Sequence, residues 1–431
     1  MAKTKILIIL AHSTHNAGDL ALLELAISQL RYYFNNAETT IASNYPDETK
    51  IDDLVDKVVP SPHALIRKNG KNSVFRQLIS LFSLWIFSYI YRYMWRLSGL
   101  ISCQWNTLLT AYQEADFIIA LSGNQFYSTG KYGWSIFSHA LSVDLAYRFS
   151  KPVYVLPQSI GPLKRWWERK LVYWLYSRAN IVFLRDKSSI DLAIDIGLPV
   201  EKVHYAPDPA FTLKPAEPIE AQKILLKNGW DPKTPSIGVT IIAPMGKSLN
   251  FDHIQNYYQS IAIALTNFAI SKKMQIVFFN QVTGPTAIED DRIPTHAIYE
   301  KIKSISPAIK ILNVTEVLSP SMLKACYGKM DLFLASRLHS GIFALGMYVP
   351  TIFVGYLSKT MGLLNSLGLH ELGIELNVVN CTSLEHLFLT TWNSRKSLRD
   401  KIAIKILEII PQTEQPPLDI HMDFSHKYGK R

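Results

Sequence analysis

The chain has 431 residues, of which 48% are hydrophobic and 19% charged. This composition can fill a large core, which excludes a disordered protein, and the length predicts two or three domains. The three cysteines, Cys103, Cys326 and Cys381, are few and far apart. They exclude a disulfide scaffold and an all-cysteine zinc site, and they suit a reducing compartment. The formal net charge of +10 favours anionic partners.

In chain order, residues 6–10 read as a strand and 22–30 as a helix. The charged head and short apolar run at the start read as that first strand rather than a signal peptide. Residues 57–113 contain no Asp or Glu and carry Lys57, Arg67, Lys68, Lys71, Arg76, Arg92 and Arg96, a balance of +7. Within them, residues 77–91 are free of charge and too short to span a membrane. Two readings fit. One is an interfacial helix with Trp85, Phe87, Tyr89, Tyr91 and Trp95 at headgroup depth and arginines reaching anionic lipid. The other is a buried helix.

Further strands are predicted at 116–121, 153–156, 181–184 and 203–206, followed by a turn-rich break at 228–232. The pattern then restarts: strand 237–242, helix 254–271, strands 275–280, 309–312 and 332–335, helix 342–347 and strand 351–354. Short buried runs alternating with helices predict an α/β fold with parallel sheets. The expected organisation is two Rossmann-like domains facing a cleft, at 1–227 and 228–412, with a loose polar tail at 413–431. Ligands would bind at the carboxyl ends of the strands.

Five segments at predicted strand ends carry residues suited to chemistry. In the first, Asn16 and Asp19 are helix-capping types, and Gly18 permits close backbone approach. A helix amino terminus there would attract an anion; an ordinary capped turn also fits. The second contains Gly123 and Asn124, with Gly130 and Gly133 beyond, and is either a cleft-lining loop or a plain surface loop. The third offers Gln158 and Ser159 as hydrogen-bonding groups, with Gly161 before Pro162 fixing a turn. In the fourth, Arg185 sits where a strand stops, and Asp186 or Ser188 can cap the next helix. An arginine there can grip phosphate or carboxylate, or form a surface pair with an aspartate.

The fifth segment contains Ser336, Arg337, Leu338 and His339 between a strand and a helix. The helix dipole disfavours cations at that end, a conflict that a bound anion would resolve. A histidine at this position can act as a proton donor. A structural His and Arg is the alternative. No metal-ligand spacing, P-loop, nucleophile elbow or nucleic-acid module is found in the sequence.

Together these segments resemble the polysaccharide pyruvyl transferase family. The resemblance rests on the segments around Asn16 to Asp19, Gly123, 158–162, Arg185 with Asp186 and Ser189, 206–211, Ser336 to His339, and 349–356 with Lys359, which keep the family's order. Ser122, Gly123 and Asn124 stand where the family usually shows adjacent glycines. The resemblance implies a GT-B-like fold. It also implies phosphoenolpyruvate as co-substrate, with no other cofactor. The acceptor would be a sugar of a cell-surface glycan or its lipid-linked precursor, and the product a pyruvate ketal formed with release of phosphate.

By resemblance, Arg337, Leu338 and His339 border the phosphoenolpyruvate site, and Arg185 is a second arginine. Arg185 and Arg337 are expected anion clamps, with His339 as general acid or phosphate ligand. Asn16, Gly18, Asp19, Gly123, Asn124, Gln158, Ser159, Gly161, Asp208, Ser336, Leu338 and Lys359 are the expected substrate-binding residues. Asp208 reads either as a hydroxyl-activating base or as a turn residue. The expected setting is exopolysaccharide biosynthesis in the cytoplasm, with peripheral contact at the inner face of the membrane through 57–113 and no nucleic-acid partner. The alternatives are a GT-B-type glycosyltransferase using a nucleotide sugar and a non-catalytic membrane-surface scaffold. A ribose-binding acidic motif in the second domain would favour the former; Glu371 and Glu375 lie in that region, but neither has a persuasive spacing.

Overall fold

The computed structural model describes residues 3–35, 37–49, 51, 54–67, 74–94, 103–128, 135–242, 251–355 and 358–428. The chain divides into two compact units. The first comprises Met1–Thr14, Leu22–Asp208 and Gln412–Arg431; the second comprises His15–Ala21 and Pro209–Pro411.

The first unit contains β1 (Lys5–Ala11), most of α1 (Ala17–Tyr33), β2 (Glu38–Ser43), β3 (Lys57–Pro60), α2 (Pro62–Arg67), α3 (Val74–Met94) and α4 (Cys103–Glu114). It continues through β4 (Phe117–Ala120), β5 (Gly123–Phe126), α5 (Ile136–Arg148), β6 (Val153–Ile160), α6 (Trp166–Tyr176), β7 (Ile181–Leu184), α7 (Lys187–Asp195) and β8 (Val203–Tyr205). Its strands form a parallel sheet in the order β3-β2-β1-β4-β6-β7-β8, with β5 pairing β6. The β1 and β4 runs are almost entirely buried, as parallel strands covered on both faces require.

The second unit contains α8 (Pro218–Lys227), β9 (Ser236–Thr240), α9 (Phe251–Lys272), β10 (Gln275–Phe279), α10 (Arg292–Ile305), β11 (Ile311–Val314) and α11 (Pro320–Tyr327). Then come β12 (Leu332–Ala335), α12 (Leu338–Leu345), β13 (Thr351–Gly355), α13 (Ser358–Leu367), β14 (Gly373–Glu375), α14 (Cys381–Asn393) and α15 (Arg395–Thr413). The strand order β11-β10-β9-β12-β13-β14 is the 3-2-1-4-5-6 order of a doubly wound Rossmann sheet. In each sheet the order reverses once, between β1 and β4 in the first and between β9 and β12 in the second. Those switch points are where ligands dock on open α/β sheets.

The boundary falls at Asp208/Pro209, before α8, and not at 227/228. Helix α8 belongs with the second sheet: it packs on α11, and the Ala216 amide donates to the Ser321 carbonyl at 2.9 Å. Asn228 and Gly229 only end that helix, Gly229 taking a φ of +89°.

The tail, expected as loose, is helix α16 (Gln415–Tyr428) in the first unit. Pro416 and Pro417 sit in its first turn, where their missing amides cost no helix bond. Asp423 accepts hydrogen bonds from Tyr154 Oη at 2.8 Å and Asn180 Nδ2 at 3.2 Å, and Phe424 packs on Phe117.

Helix α3 runs beyond the predicted 77–91. Trp85 and Tyr89 lie on its exposed side, but Tyr91 is buried and Phe87 packs against the core. The exposed Arg92 guanidinium donates to the Arg148 carbonyl and to Ser150 Oγ. Trp95, Arg96, Lys68 and Lys71 lie outside the described residues, as do Gly130 and Gly133.

Candidate functional site

In the second unit, β12 ends at Ala335 and α12 begins at Leu338, with Arg337 as its N-cap. Ser336 is buried; its amide bonds to the Thr240 carbonyl and its hydroxyl accepts from Tyr257 Oη at 2.7 Å. This seryl group therefore secures the strand end rather than presenting itself to a ligand. Ser340 closes the first helical turn by donating to the Arg337 carbonyl at 2.7 Å.

The conflict expected between Arg337 and the helix dipole is met by a protein carboxylate. Asp291, fully buried, accepts from Arg337 Nε at 3.1 Å through each oxygen and from Nη2 at 2.6 Å. The Val282 amide donates to the same carboxylate at 3.0 Å, and Arg337 Nη2 also reaches the Glu289 carbonyl. A two-pronged pair of this kind fixes the plane of the guanidinium. Burial raises the Tyr258 phenol above its ordinary value; Asp291 adds to that shift and Arg337 opposes it.

Residues His15–Ala21 join this constellation. Asn16 bridges to Val282, the Ala17 amide donates to the Gln281 carbonyl at 3.0 Å, and the Thr283 amide donates to the His15 carbonyl at 2.9 Å. Asn16 Oδ1 accepts from the Gly18 amide at 3.0 Å, and its Nδ2 donates to Asp19 at 2.9 Å. The motif thus caps its own helix. The close approach that Gly18 permits is to His339: a β-carbon on residue 18 would lie 2.2 Å from His339 Nδ1. Two segments more than 300 residues apart in sequence form one structure. Leu338 and Lys359, the latter in the first turn of α13, are half-buried in the same unit.

In the first unit, Arg185, Asp208 and Ser159 are buried together. The Arg185 guanidinium donates to Ser159 Oγ at 2.9 Å and pairs with Asp208 at 2.5 Å. Ser159 donates to Asp186, whose other oxygen caps α7 through the Ser189 amide at 2.8 Å. Arg185 is only 5% exposed. It is an internal ion pair that ties β7 to the loop after β8, in place of the open anion clamp expected. Asp208, only 2% exposed, is engaged by that arginine and is not poised as a base. Gln158 is fully buried: its Nε2 donates to the Leu121 carbonyl at 2.6 Å and its Oε1 accepts from Tyr176. This also assigns it to the scaffold. Gly161 takes a φ of +86° at the turn, with the Leu192 side chain where a β-carbon would lie.

Gly123, with a φ of +151°, opens β5 rather than a loop, and Asn124 follows it half-buried. Beside them lies a group that no sequence spacing announces. The His63 and His139 rings stack at 5.9 Å, His63 Nδ1 is 3.1 Å from Ser138 Oγ, and His139 Nδ1 is 3.2 Å from the Gln125 carbonyl. Burial, reinforced by the charges of His12 and Arg67, pulls His63 down to about 4. Burial, then His63 and His12, pulls His139 down to about 3. Both imidazoles are therefore neutral near pH 7. Asp291 was also missed. It lies in an acidic run with Glu289 and Asp290, but nothing local ties it to Arg337, 46 residues on.

The polysaccharide pyruvyl transferase family model matches residues 16–358. The chain belongs to the polysaccharide pyruvyl transferase family. Membership makes it a transferase, and the matched stretch begins at Asn16 and includes Arg185, Arg337 and His339. Its sequence is 25% identical over 387 residues to the amylovoran biosynthesis protein AmsJ of Erwinia amylovora, covering 86% of this chain and 88% of that one.

Among solved structures, the UDP-GlcNAc 2-epimerase of Neisseria meningitidis aligns with a TM-score of 0.58 at 10% identity, over 96% of this chain and 99% of that one. Anabaena Alr3699/HepE, solved with UDP, aligns with a TM-score of 0.55 at 12% identity, over 99% and 100%. At that identity the likeness is one of fold. With the strand orders above, it gives two Rossmann-like α/β domains of the GT-B-like class.

Proposed function

We propose that the protein transfers the pyruvyl group of phosphoenolpyruvate to a sugar of a cell-surface glycan or its lipid-linked precursor, forming a pyruvate ketal and releasing phosphate. The observation that carries this reading is the Arg337–His339 pair at the switch point of the second sheet, locked to the Asn16–Asp19 segment. In this reading Asp291 holds the guanidinium plane, and the donor's anionic groups bind beside Arg337 at the amino terminus of α12.

Transfer adds a proton to the methylene carbon of the donor, and two acceptor hydroxyls bond to its neighbouring carbon. Each hydroxyl gives up its proton, and the carbon–oxygen bond to phosphate breaks. His339 serves as the acid for the methylene carbon or as a ligand of the departing phosphate. Arg185 acts on this reaction by holding the strand-end framework of the first unit. A peripheral membrane contact through 57–113 suits a lipid-linked acceptor.

The test is release of inorganic phosphate that requires both phosphoenolpyruvate and a glycan acceptor, with mass spectrometry of the glycan for the ketal. Arg337→Lys, which keeps a cation against buried Asp291, should strongly reduce release while the fold persists. Full activity in that variant would overturn the site assignment. Thermal stabilisation by nucleotide sugars but not by phosphoenolpyruvate would overturn the reaction. His339→Gln separates the two histidine roles: loss of the alkaline pH limb marks the acid, and a raised KM with an unchanged pH profile marks the ligand.

A further inference from the structure

Helix α3 exposes Phe75, Ile79, Phe82, Ile86, Ile90 and Tyr93. Their spacing of three and four residues makes one stripe along a helix roughly 30 Å long. Leu81, Leu84 and Tyr91, on the other side, are buried in the core. A water-facing helical stripe is ordinarily polar, and a contiguous apolar one marks an interaction surface. Helix α6 adds exposed Trp166, Tyr173 and Trp174. Between α3, α5 and α6 lies a cavity of about 430 Å³, walled by Phe82, Trp85, Phe137, Leu141, Leu171 and Trp174. Its one charged lining group, Asp144, pairs with Arg148 at 2.7 Å and lies 3.8 Å from Arg178.

The charge beside this surface is mainly positive; Asp144 pairs with Arg148 and Asp195 with Arg169. Helix α3 has no acid, and the single acid of α6, Glu168, is buried against Arg165. Arg76, Lys164, Lys170 and Arg178 are exposed. A second copy of the chain would bring these cations against one another, whereas an anionic lipid surface complements them. Among the described residues no helix is long and apolar enough to cross a membrane, so the stripe would lie flat in the interface.

We propose that the α3–α6 face docks on an anionic bilayer, with the α3 stripe among the headgroups and one lipid hydrocarbon chain entering the cavity between α3, α5 and α6. This deepens the membrane contact proposed above and is independent of pyruvyl transfer, since vesicle binding is read without turnover.

The full chain is sedimented with phosphatidylcholine vesicles with and without phosphatidylglycerol. Binding is expected only to the anionic vesicles, to fall with salt, and to weaken about five-fold for each of Lys164→Gln and Lys170→Gln. The exposed triple variant Phe75→Ser, Ile86→Ser, Tyr93→Ser should bind at least about ten-fold more weakly with unchanged melting. Vesicles with brominated acyl chains should quench tryptophan fluorescence. Filling the cavity from either wall, by Ala140→Phe or Leu171→Phe, should reduce that quenching while some vesicle binding persists.

Equal binding to neutral vesicles, or undiminished binding by the triple variant, would overturn the docking face. Undiminished quenching in both cavity variants would overturn the lipid-chain site alone. A concentration-dependent dimer lost in the triple variant would assign the face to a second copy instead. Phosphate release assayed on the same samples keeps failure of the membrane contact distinct from failure of the catalytic reading.

Discussion

Gly18→Ala probes the junction of the two family segments within the second unit. The new methyl would meet His339 Nδ1 at 2.2 Å, Cγ at 2.5 Å and Cβ at 2.7 Å, distances that real contacts do not reach. The clash reaches the root of the histidine side chain, so a swing of the ring tip does not relieve it. Either the His339 side chain is driven to another rotamer or the first turn of α1 moves away. Overpacking of this kind costs about 1–3 kcal/mol. Alanine regains about 0.5–1 kcal/mol of helical preference over glycine. The net loss is then about 0–2.5 kcal/mol, a fall in Tm of at most about 10 °C for a unit of this size. With His339 as the acid of the proposed transfer, activity should suffer far more, because a displaced general acid forfeits about 10²–10⁴-fold in rate. Phosphate release should therefore fall at least about 100-fold in a variant that remains folded at the assay temperature. The decisive control is the double variant. With His339→Gly already present, Gly18→Ala should remove little further, because the β-carbon and ring it would meet are gone. Wild-type turnover in Gly18→Ala, or losses that simply multiply, would refute the claim that Gly18 acts through His339.

Three further outcomes follow from the same structure. Asp291→Ala strands the Arg337 guanidinium beside a buried gap and should cost about 3–5 kcal/mol in guanidinium denaturation; a cost below about 1 kcal/mol would show that the pair does not organise the second unit. At the buried Arg185–Asp208 pair, Arg185→Met and Asp208→Leu should each destabilise by about 3–5 kcal/mol. Their combination should cost clearly less than the sum, and strict additivity in a double-mutant cycle would contradict the pairing. His63 and His139 fold as neutral bases with pKa values pulled below the ordinary 6.5, to about 4 and about 3. Between those values and pH 6.5 the unfolded chain binds more protons, so their contribution is complete above pH 6.5 and is lost as the pH falls. Each adds a slope of up to about 1.4 kcal/mol per pH unit. The double variant His63→Gln, His139→Gln should flatten stability against pH across that window, and an unchanged acid limb would show that the two rings do not govern it.

The interior of both sheets could be read from the sequence because a parallel strand buried on both faces must be apolar throughout. Residues such as Ile6 to Ile9, Phe117 to Ala120 and Leu332 to Ala335 leave no alternative to burial. Strands without that pattern were missed. β2 is mostly polar, with buried Thr39 satisfied by Asp56, and β5 is a polar run beginning with glycine. β3 and β14 are each one edge of their sheet, four and three residues long. Edge strands bury only part of their surface, so little in composition distinguishes them from loops. The second-unit boundary failed for a related reason. Asn228 and Gly229 are strong turn residues, but a turn signal says that a helix ends, not which sheet that helix packs on.

For the site, the local chemistry of the segments was legible and the identity of their partners was not. Arg337 at a helix amino terminus poses an electrostatic conflict visible in sequence. A ligand was expected; the structure supplies Asp291 first. Arg185 and Asp208 appeared as separate candidates 23 residues apart, yet they neutralise one another in the interior. Both cases reflect one physical rule: a buried charge takes whatever counter-charge the fold brings nearest, and sequence separation carries no information about that. It follows that an arginine at a strand end should be weighed by its nearest buried carboxylate before it is assigned to a substrate. By that measure Arg185, in a closed pair, is a positioning group. Arg337 differs. Its partner braces it on one side, His339 lies two residues further along the same helical turn, and the Gly18 segment closes over that histidine, so Arg337→Lys should cost turnover more than stability, because a lysine keeps the charge but cannot be held in one plane by Asp291.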